Sequence, residues 1–384
     1  MAGVIYHEVK PEQAGSNENN SFREFNTLSF ILQADGRKLV KNSISIDFEI
    51  RVYSGNYTTD VTRADIIGYN NKVGCSSFWE SFTCEVQSKG VISQQNEYPR
   101  YVNMVNSATK NENDVCSGIL QAQGIGALPE VGRYYCQRQA SNNLNAGGAA
   151  GHVYDNSNFS FMPKIPFNSM SGDNYSFSKN GYIRIQTNLA KNNNALFGRS
   201  AGTATYEIIN PRLRFTSVPD DGQQGIMLMN TYSAIKQTIN SQKADIVARV
   251  PLERVSGVAV TYLELAKENS NTADSYRLEK IPQISSLQYL MNNSTSGGLV
   301  SYQIDDRDEM NIRGLQALSN NFREGNQVSH IHLKGNSGTL HGQSFGEYLN
   351  LSNQTFNMAI ESESNLMTVN PYLVYMYFLG LIQL

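Results

Sequence analysis

The apolar and polar positions of this chain repeat in segment after segment with the two-residue period of a half-buried β-strand. The cleanest case is residues 43–53, where Ile44, Ile46, Phe48 and Ile50 interleave with Ser45, Asp47, Glu49 and Arg51. Strand-like runs also cover residues 27–32, 159–163, 182–189 and 203–218, and then 226–229, 244–250, 257–265, 328–333, 355–360 and 372–382. The last is apolar on both faces, which predicts a central strand covered on each side. Residues 78–93 read as a hairpin turning at Lys89-Gly90. Pro99 opens a helix with Tyr101, Val102, Met104 and Val105 on its apolar side. Two more helices are expected later. One covers 285–292, with Leu287, Leu290 and Met291 inward, and the other covers 309–322, with Ile312, Leu315, Leu318 and Phe322 on one face.

Two strands carry the same signature. Ile209-Asn210-Pro211-Arg212-Leu213-Arg214-Phe215 and Val369-Asn370-Pro371-Tyr372-Leu373-Val374-Tyr375 each place an Asn-Pro break before an apolar-alternating run, and each follows another alternating strand. The pattern predicts two all-β domains of one plan in tandem, and 384 residues suit two domains. Val218-Pro219-Asp220-Asp221-Gly222 is a turn-rich linker between them. Residues 1–22 are polar and read as an arm, disordered or ordered only by a neighbour. Residues 137–156 form a glycine-rich excursion expected as an exposed loop. The expected fold class is all-β: two tandem eight-stranded jelly rolls (β-sandwiches) with a few short helices in loops, divided as 1–22, 23–218 and 219–384. Helical segments do not alternate regularly with strands, which excludes an all-parallel βαβ plan.

Composition sharpens this picture. Only 17 % of residues are charged, against roughly 25 % in an average protein. Asn, Ser, Gln, Thr, Gly and Tyr fill the gap, and they suit strands, turns and surfaces that pack against other protein. A net charge of −3 supplies no basic field for nucleic acid, so no sequence-specific nucleic-acid binding is expected. Cys75, Cys84, Cys116 and Cys136 fall in the first half without Cys-x-x-Cys spacing or an apolar leader, and are expected as free thiols in a reducing compartment. The sequons at Asn56, Asn158, Asn174 and Asn353 are then expected to stay bare. The run 372–382 is too short for a membrane helix.

The search for chemistry assigns no catalytic, cofactor-binding or metal-binding residue and expects no cofactor. His330-Ile331-His332, with His341, resembles the metal pair of cupins, since residues i and i+2 share a strand face. Asn336 and Ser337 stand where the cupin carboxylate belongs, and Glu347 lies too far on, so strand-face histidines are the expectation. Gly124-Ile125-Gly126 lacks the third glycine of a phosphate loop. Trp79 beside Phe78 and Phe82, Tyr134-Tyr135, and the pair Tyr375 and Tyr377 read as packing aromatics rather than sugar platforms. The acidic run Asp305-Asp306-Arg307-Asp308-Glu309 reads as a solvated loop entering a helix, because it lacks the glycine and distal glutamate of a calcium loop.

The duplicated Asn-Pro endings, Lys89-Gly90 before a proline-initiated helix and the apolar closing strand resemble the double jelly-roll major capsid proteins of tailless icosahedral viruses. The resemblance spans residues 23–384. It implies a structural protein without enzymatic activity, forming homotrimers whose six jelly rolls make a pseudo-hexagonal capsomer of a virion shell. It also implies synthesis in the host cytoplasm, and partners among neighbouring capsomers, pentons, minor capsid proteins or an internal membrane. Two other classes compete with it. One is a glycan-binding attachment or spike protein using residues 137–156; the other is a cupin-like metal protein using His330, His332 and His341.

Overall fold

The computed structural model describes residues 3–13, 15, 20–60, 67–70, 72–109, 123–125, 157–198, 201–279, 284–293, 298–321, 340–352, 354–362 and 370–384. The strands of the first half are β1 (Ile5–Val9), β2 (Ser21–Phe22), β3 (Thr27–Leu32), β4 (Arg37–Leu39), β5 (Ser45–Gly55), β6 (Thr59–Asp60), β7 (Trp79–Val86), β8 (Gly90–Gln95), β9 (Ser157–Phe161), β10 (Ser171–Gly172), β11 (Tyr175–Ser176), β12 (Ile183–Leu189) and β13 (Thr205–Pro219). Those of the second are β14 (Met227–Ile239), β15 (Lys243–Arg249), β16 (Val255–Glu264), β17 (Ile284–Asn293), β18 (Gly298–Ile304), β19 (Leu340–Leu349), β20 (Thr355–Ser362) and β21 (Tyr372–Gln383).

Hydrogen-bonded order repeats between the halves. In the first, β2, β13, β5 and β9 lie side by side and face β3, β12, β7 and β8. In the second, β14, β21, β16 and β19 face β15, β20, β17 and β18. If β1 and β2 are counted together as one interrupted first strand and the two- and three-residue strands β4, β6, β10 and β11 are left out, both halves read first–eighth–third–sixth over second–seventh–fourth–fifth. That is the jelly-roll order, so the chain is all-β with two jelly rolls in tandem. Each sandwich encloses its own core. Phe30, Ile46, Trp79, Phe82 and Ile185 are among the residues that fill the first. Val258, Leu287, Tyr289, Met358 and Val374 help fill the second.

One helix occupies the same place in each half, between the fifth and sixth strands. These are α1 (Tyr98–Thr109), after β8, and α2 (Arg307–Asn321), after β18. Asp306 caps α2 by accepting a 2.9 Å hydrogen bond from the Glu309 amide, so the acidic run does lead into a helix. The helices do more than fill loops. Tyr101, Met104, Val105 and Ala108 of α1 and Leu315, Ala317 and Leu318 of α2 join Tyr232, Ala259, Tyr375, Tyr377 and Leu379 in a third apolar cluster on the outer face of the β14–β21–β16–β19 sheet. β21 is therefore buried on both faces, as its uniform apolarity predicted.

Four expectations change. Residues 285–292 are the middle of strand β17 and not a helix. Leu287, Tyr289 and Met291 are buried while Ser286, Gln288 and Leu290 are partly exposed, a two-residue period that pairing with β18 and β20 selects over the helical one. Ile312 is 47 % exposed, and Met310 is buried in its place. Residues 5–9 are not left to a neighbour: β1 pairs antiparallel with Leu213–Ser217 of its own chain. The two Asn-Pro pairs are also not equivalent. Thr205 opens β13 opposite Tyr53, and Tyr372 opens β21 opposite Glu264. Asn210-Pro211 therefore falls inside the strand, at a bulge where Asn210 has φ of 51°, whereas Asn370-Pro371 precedes its strand. The repeat is one of topology. The expected strand at 328–333 and the loop at 137–156 lie outside the described residues.

Helix α2 meets the sheet through glycine. A Cβ at Gly314 would sit 2.7 Å from the carbonyl carbon of His341, where neither backbone can retreat. In an open helix Gly→Ala stabilises by about 1 kcal/mol. Here overpacking reverses the sign: Gly314→Ala should destabilise by about 1–3 kcal/mol in chemical denaturation, and an increase in stability would disprove this close approach.

Candidate functional site: the junction of the two sandwiches

The residues weighed for chemistry do not converge. His341 is 3 % exposed on β19, with Nδ1 3.1 Å from the Tyr262 hydroxyl, and burial lowers its pKa from 6.5 to about 4, so the ring is neutral in the core. His330 and His332 lie outside the described residues, as do Cys116, Cys136, Tyr134, Tyr135 and Gly126. Among the described residues, no three His, Cys, Asp or Glu side chains are grouped to hold a metal ion. Trp79 is fully buried, edge-on to Phe48 and stacked on Phe82. Cys75 and Cys84 are buried free thiols, and burial raises the pKa of both.

The built feature is where the sandwiches meet. Helix α1 belongs to the first half by sequence, and its residues 98–108 are buried; Asn106 donates to the Lys72 carbonyl of its own half, whereas Arg100 and Asn103 reach the second half. Arg100, 1 % exposed, donates from Nη1 to the Arg277 carbonyl at 2.9 Å and from Nη2 to the Ser275 carbonyl. Its guanidinium lies over the Tyr375 ring, 4.1 Å from the centroid. Asn103 Nδ2 donates to the Tyr276 carbonyl at 2.6 Å. From the same half, Asn70 Nδ2 donates to Asp274 Oδ2 at 2.6 Å. Four successive residues, 274–277, are thus held by side chains from across the junction. A hydrogen bond to a charged donor contributes about 1.5–3 kcal/mol, and a desolvated cation over an aromatic face about 2 kcal/mol. Arg100 alone can therefore lock the halves against rotation.

Aromatic packing completes the seam. Tyr101 stacks on Tyr232 at 3.9 Å between centroids, and both touch Tyr377. The Tyr375 and Tyr377 pair is buried in this packing. Edge strands meet beside it: Ser93 Oγ lies 2.7 Å from Thr231 Oγ1, the Tyr232 hydroxyl donates to the Asn96 carbonyl at 3.2 Å, and Lys236 pairs with Glu97 at 3.5 Å. The covalent linker is also tied down. Lys38, 4 % exposed, reaches Asp221 at 2.7 Å and Asp173 at 3.4 Å, and Asp173 accepts the Gly225 amide at 2.7 Å.

None of Arg100, Asn103 or residues 274–277 stood out in the sequence. The available signal was a polar face on a helix flanked by Tyr98 and Tyr101, which reads equally well as a face turned to water.

No family model and no curated protein sequence matches the chain. Solved structures do match in fold. The Faustovirus major capsid protein superposes with a TM-score of 0.58 at 9 % identity, over 100 % of this chain and 90 % of that one. A chain of the Sputnik virophage structure gives 0.56 at 11 %, over 100 % and 87 %. The mavirus major capsid protein gives 0.51 at 9 %, over 98 % and 88 %. The chain has the double jelly-roll fold of these viral proteins along its whole length.

Glu80 on β7 provides a pH probe of the seam. Its Oε2 is shut off from solvent without a hydrogen-bond partner. Burial first, and then the charge of Glu97, raise its pKa from 4.5 to about 7. The fold thus disfavours the ionised form, so stability declines as pH rises from about 4.5 to about 7 and levels off above. Glu80→Gln removes this loss. It should raise the melting temperature at pH 8 and converge with the native chain near pH 4.5, and a shift independent of pH would contradict the assignment.

Proposed function

We propose that this chain is the major capsid protein of an icosahedral viral shell, a structural protein and not an enzyme, whose homotrimers form pseudo-hexagonal capsomers. The observation that carries the reading is the repeated strand order of two sandwiches fused through a buried seam. Three-fold symmetry can imitate six only when each chain supplies two similar blocks at a fixed angle. The jelly rolls expected at 23–218 and 219–384 are those blocks, the first completed by β1 and β2, which residues 1–22 contribute against β13. The fold shared with the Faustovirus and mavirus major capsid proteins supports the same reading.

The chain's main partner is then itself, within the trimer and between neighbouring capsomers, and its place is the virion. A surface with few charges favours such contacts, because each buried ion must be desolvated or paired. The charges on the outer face of the first sheet are paired already. Glu8 bridges Arg212 and Arg214 at 2.5 and 3.3 Å, and Arg214 reaches Asp47 at 2.7 Å.

Light scattering on the purified chain, with negative-stain microscopy of the same sample, tests this reading. Particles of three chain masses with a six-sided outline, forming sheets or shells on concentration, are expected. A stable monomer without a lattice would refute it.

A further inference from the structure

The first strand of the chain is held by one arginine that reaches across β13. Ser217 pairs with Ile5 of β1 and with Leu39 of β4, so those two strands lie on opposite edges of β13. From β4, Arg37 donates from Nη2 to the Gly3 carbonyl and, at 3.1 Å, to the Ser217 carbonyl. Its Nε donates to Ser217 Oγ at 2.7 Å, and the same hydroxyl lies 2.7 Å from His7 Nε2. A guanidinium can only donate, so Ser217 Oγ accepts from Arg37 and sends its own proton to His7. This relay uses the Nε2 lone pair of a neutral ring. The ring is stacked on Phe215, its partner in register, with centroids 4.5 Å apart and planes 8° apart.

The other charges around β1 are engaged elsewhere. Glu8 points to the opposite face of the strand, where it meets Arg212 and Arg214 of β13. β3, which also packs on β1, carries no ionisable residue, and Glu12 beyond β1 is bonded to Ser29. Beside β4, Lys38 is held by Asp173 and Asp221, Asp220 is bonded to Ser176, and Asp35 accepts from Gln33. Lys10, at the end of β1, is exposed. The charge that faces His7 is therefore Arg37, and its sign opposes protonation. Burial first, and then Arg37, hold the His7 pKa below 6.5.

We propose that β1 is an acid-released strap, in which a proton on His7 breaks the Arg37–Ser217–His7 relay and undocks residues 3–9 from β13. The protonated ring has no lone pair for the Ser217 hydroxyl, and it sets a second cation one hydroxyl away from Arg37. Docked β1 disfavours the proton that the released strand accepts freely. Its hold is thus complete above pH 6.5 and declines as pH falls through 6.5 to the lower docked value, where the loss levels off. Glu8 does not contribute in this window. Its bonds to Arg212 and Arg214 outweigh burial and keep its carboxyl below 4.5, so that contact persists. Release uncovers Phe215, 2 % exposed when β1 is docked, and the 213–217 edge of β13. The device belongs to a single chain and does not depend on a shell.

Hydrogen exchange of the purified chain at about pH 7.5 and about pH 5, read by mass spectrometry and corrected for the intrinsic rate, tests the strap. Residues 5–9 should lose protection severalfold or more at the lower pH, while β12 and β20 keep theirs. Glu80 makes the body of the chain more stable toward acid, so a loss confined to β1 is not general loosening. His7→Phe keeps a ring on Phe215 without a titrating group, and its residues 5–9 should be equally protected at both pH values. Histidine NMR should place the native His7 pKa below 6.5, and Arg37→Gln should move it up toward 6.5. If His7→Phe does not dock at all, these two titrations decide in its place. Native protection that does not change with pH, an acid loss that docked His7→Phe shows in full, or a native His7 titrating at or above 6.5 overturns the proposal.

Discussion

The buried guanidinium of Arg100 is the interaction on which the architecture turns. Two jelly rolls joined only by residues 220–226 would hinge, since a covalent connection alone does not fix an angle. Arg100 gives the first half hold of two carbonyls of the second and stacks on Tyr375 of its closing strand. Its planar fork accounts for the residue type, because a lysine ammonium cannot reach both carbonyls and cover a ring at once. Burying such a charge is costly unless it is bonded, so separating the halves would strip Nη1 and Nη2 of the two carbonyls they hold.

The duplication becomes useful through this seam. Although α1 and α2 each follow the fifth strand of their own jelly roll, both lie near the outer face of one sheet, and β21 is enclosed between sandwich core and helices. The equivalent sheet of the first half keeps a polar outer face, laced by Glu8, Arg212, Arg214 and Asp47. One jelly roll is therefore committed to an internal partner, and its twin still presents the corresponding surface outward. An open pair of this kind is suited to assembly, whereas a fully symmetric pair would already be closed.

Much of the fold was legible because half-burial writes itself into sequence. β3 runs from Thr27 to Leu32 as read, and β5, β12, β20 and β21 fall within a few residues of their predicted limits. β17 was misread because Leu287, Leu290 and Met291 also fit a helical spacing. Its two-residue period becomes decisive only when β18 and β20 bond on either side. The Asn-Pro match pointed to a true duplication through residues that are not equivalent, since one pair makes a bulge and the other a strand entrance. The seam was not legible at all. Arg100, Asn103 and the 274–277 segment meet across some 170 positions of sequence, and a polar residue facing a buried carbonyl looks, in sequence, like one facing water. The histidines drew attention for their chemistry, yet His341 is a neutral core residue bonded to Tyr262.

If the locked seam is what turns two sandwiches into half a tile, releasing it should spare the sandwiches and abolish the tile. Arg100→Ala, followed by small-angle X-ray scattering and electron microscopy, measures this most directly. The account predicts retained β-sheet circular dichroism, a larger radius of gyration, and loss of six-sided particles. An unchanged radius together with normal six-sided particles would contradict it.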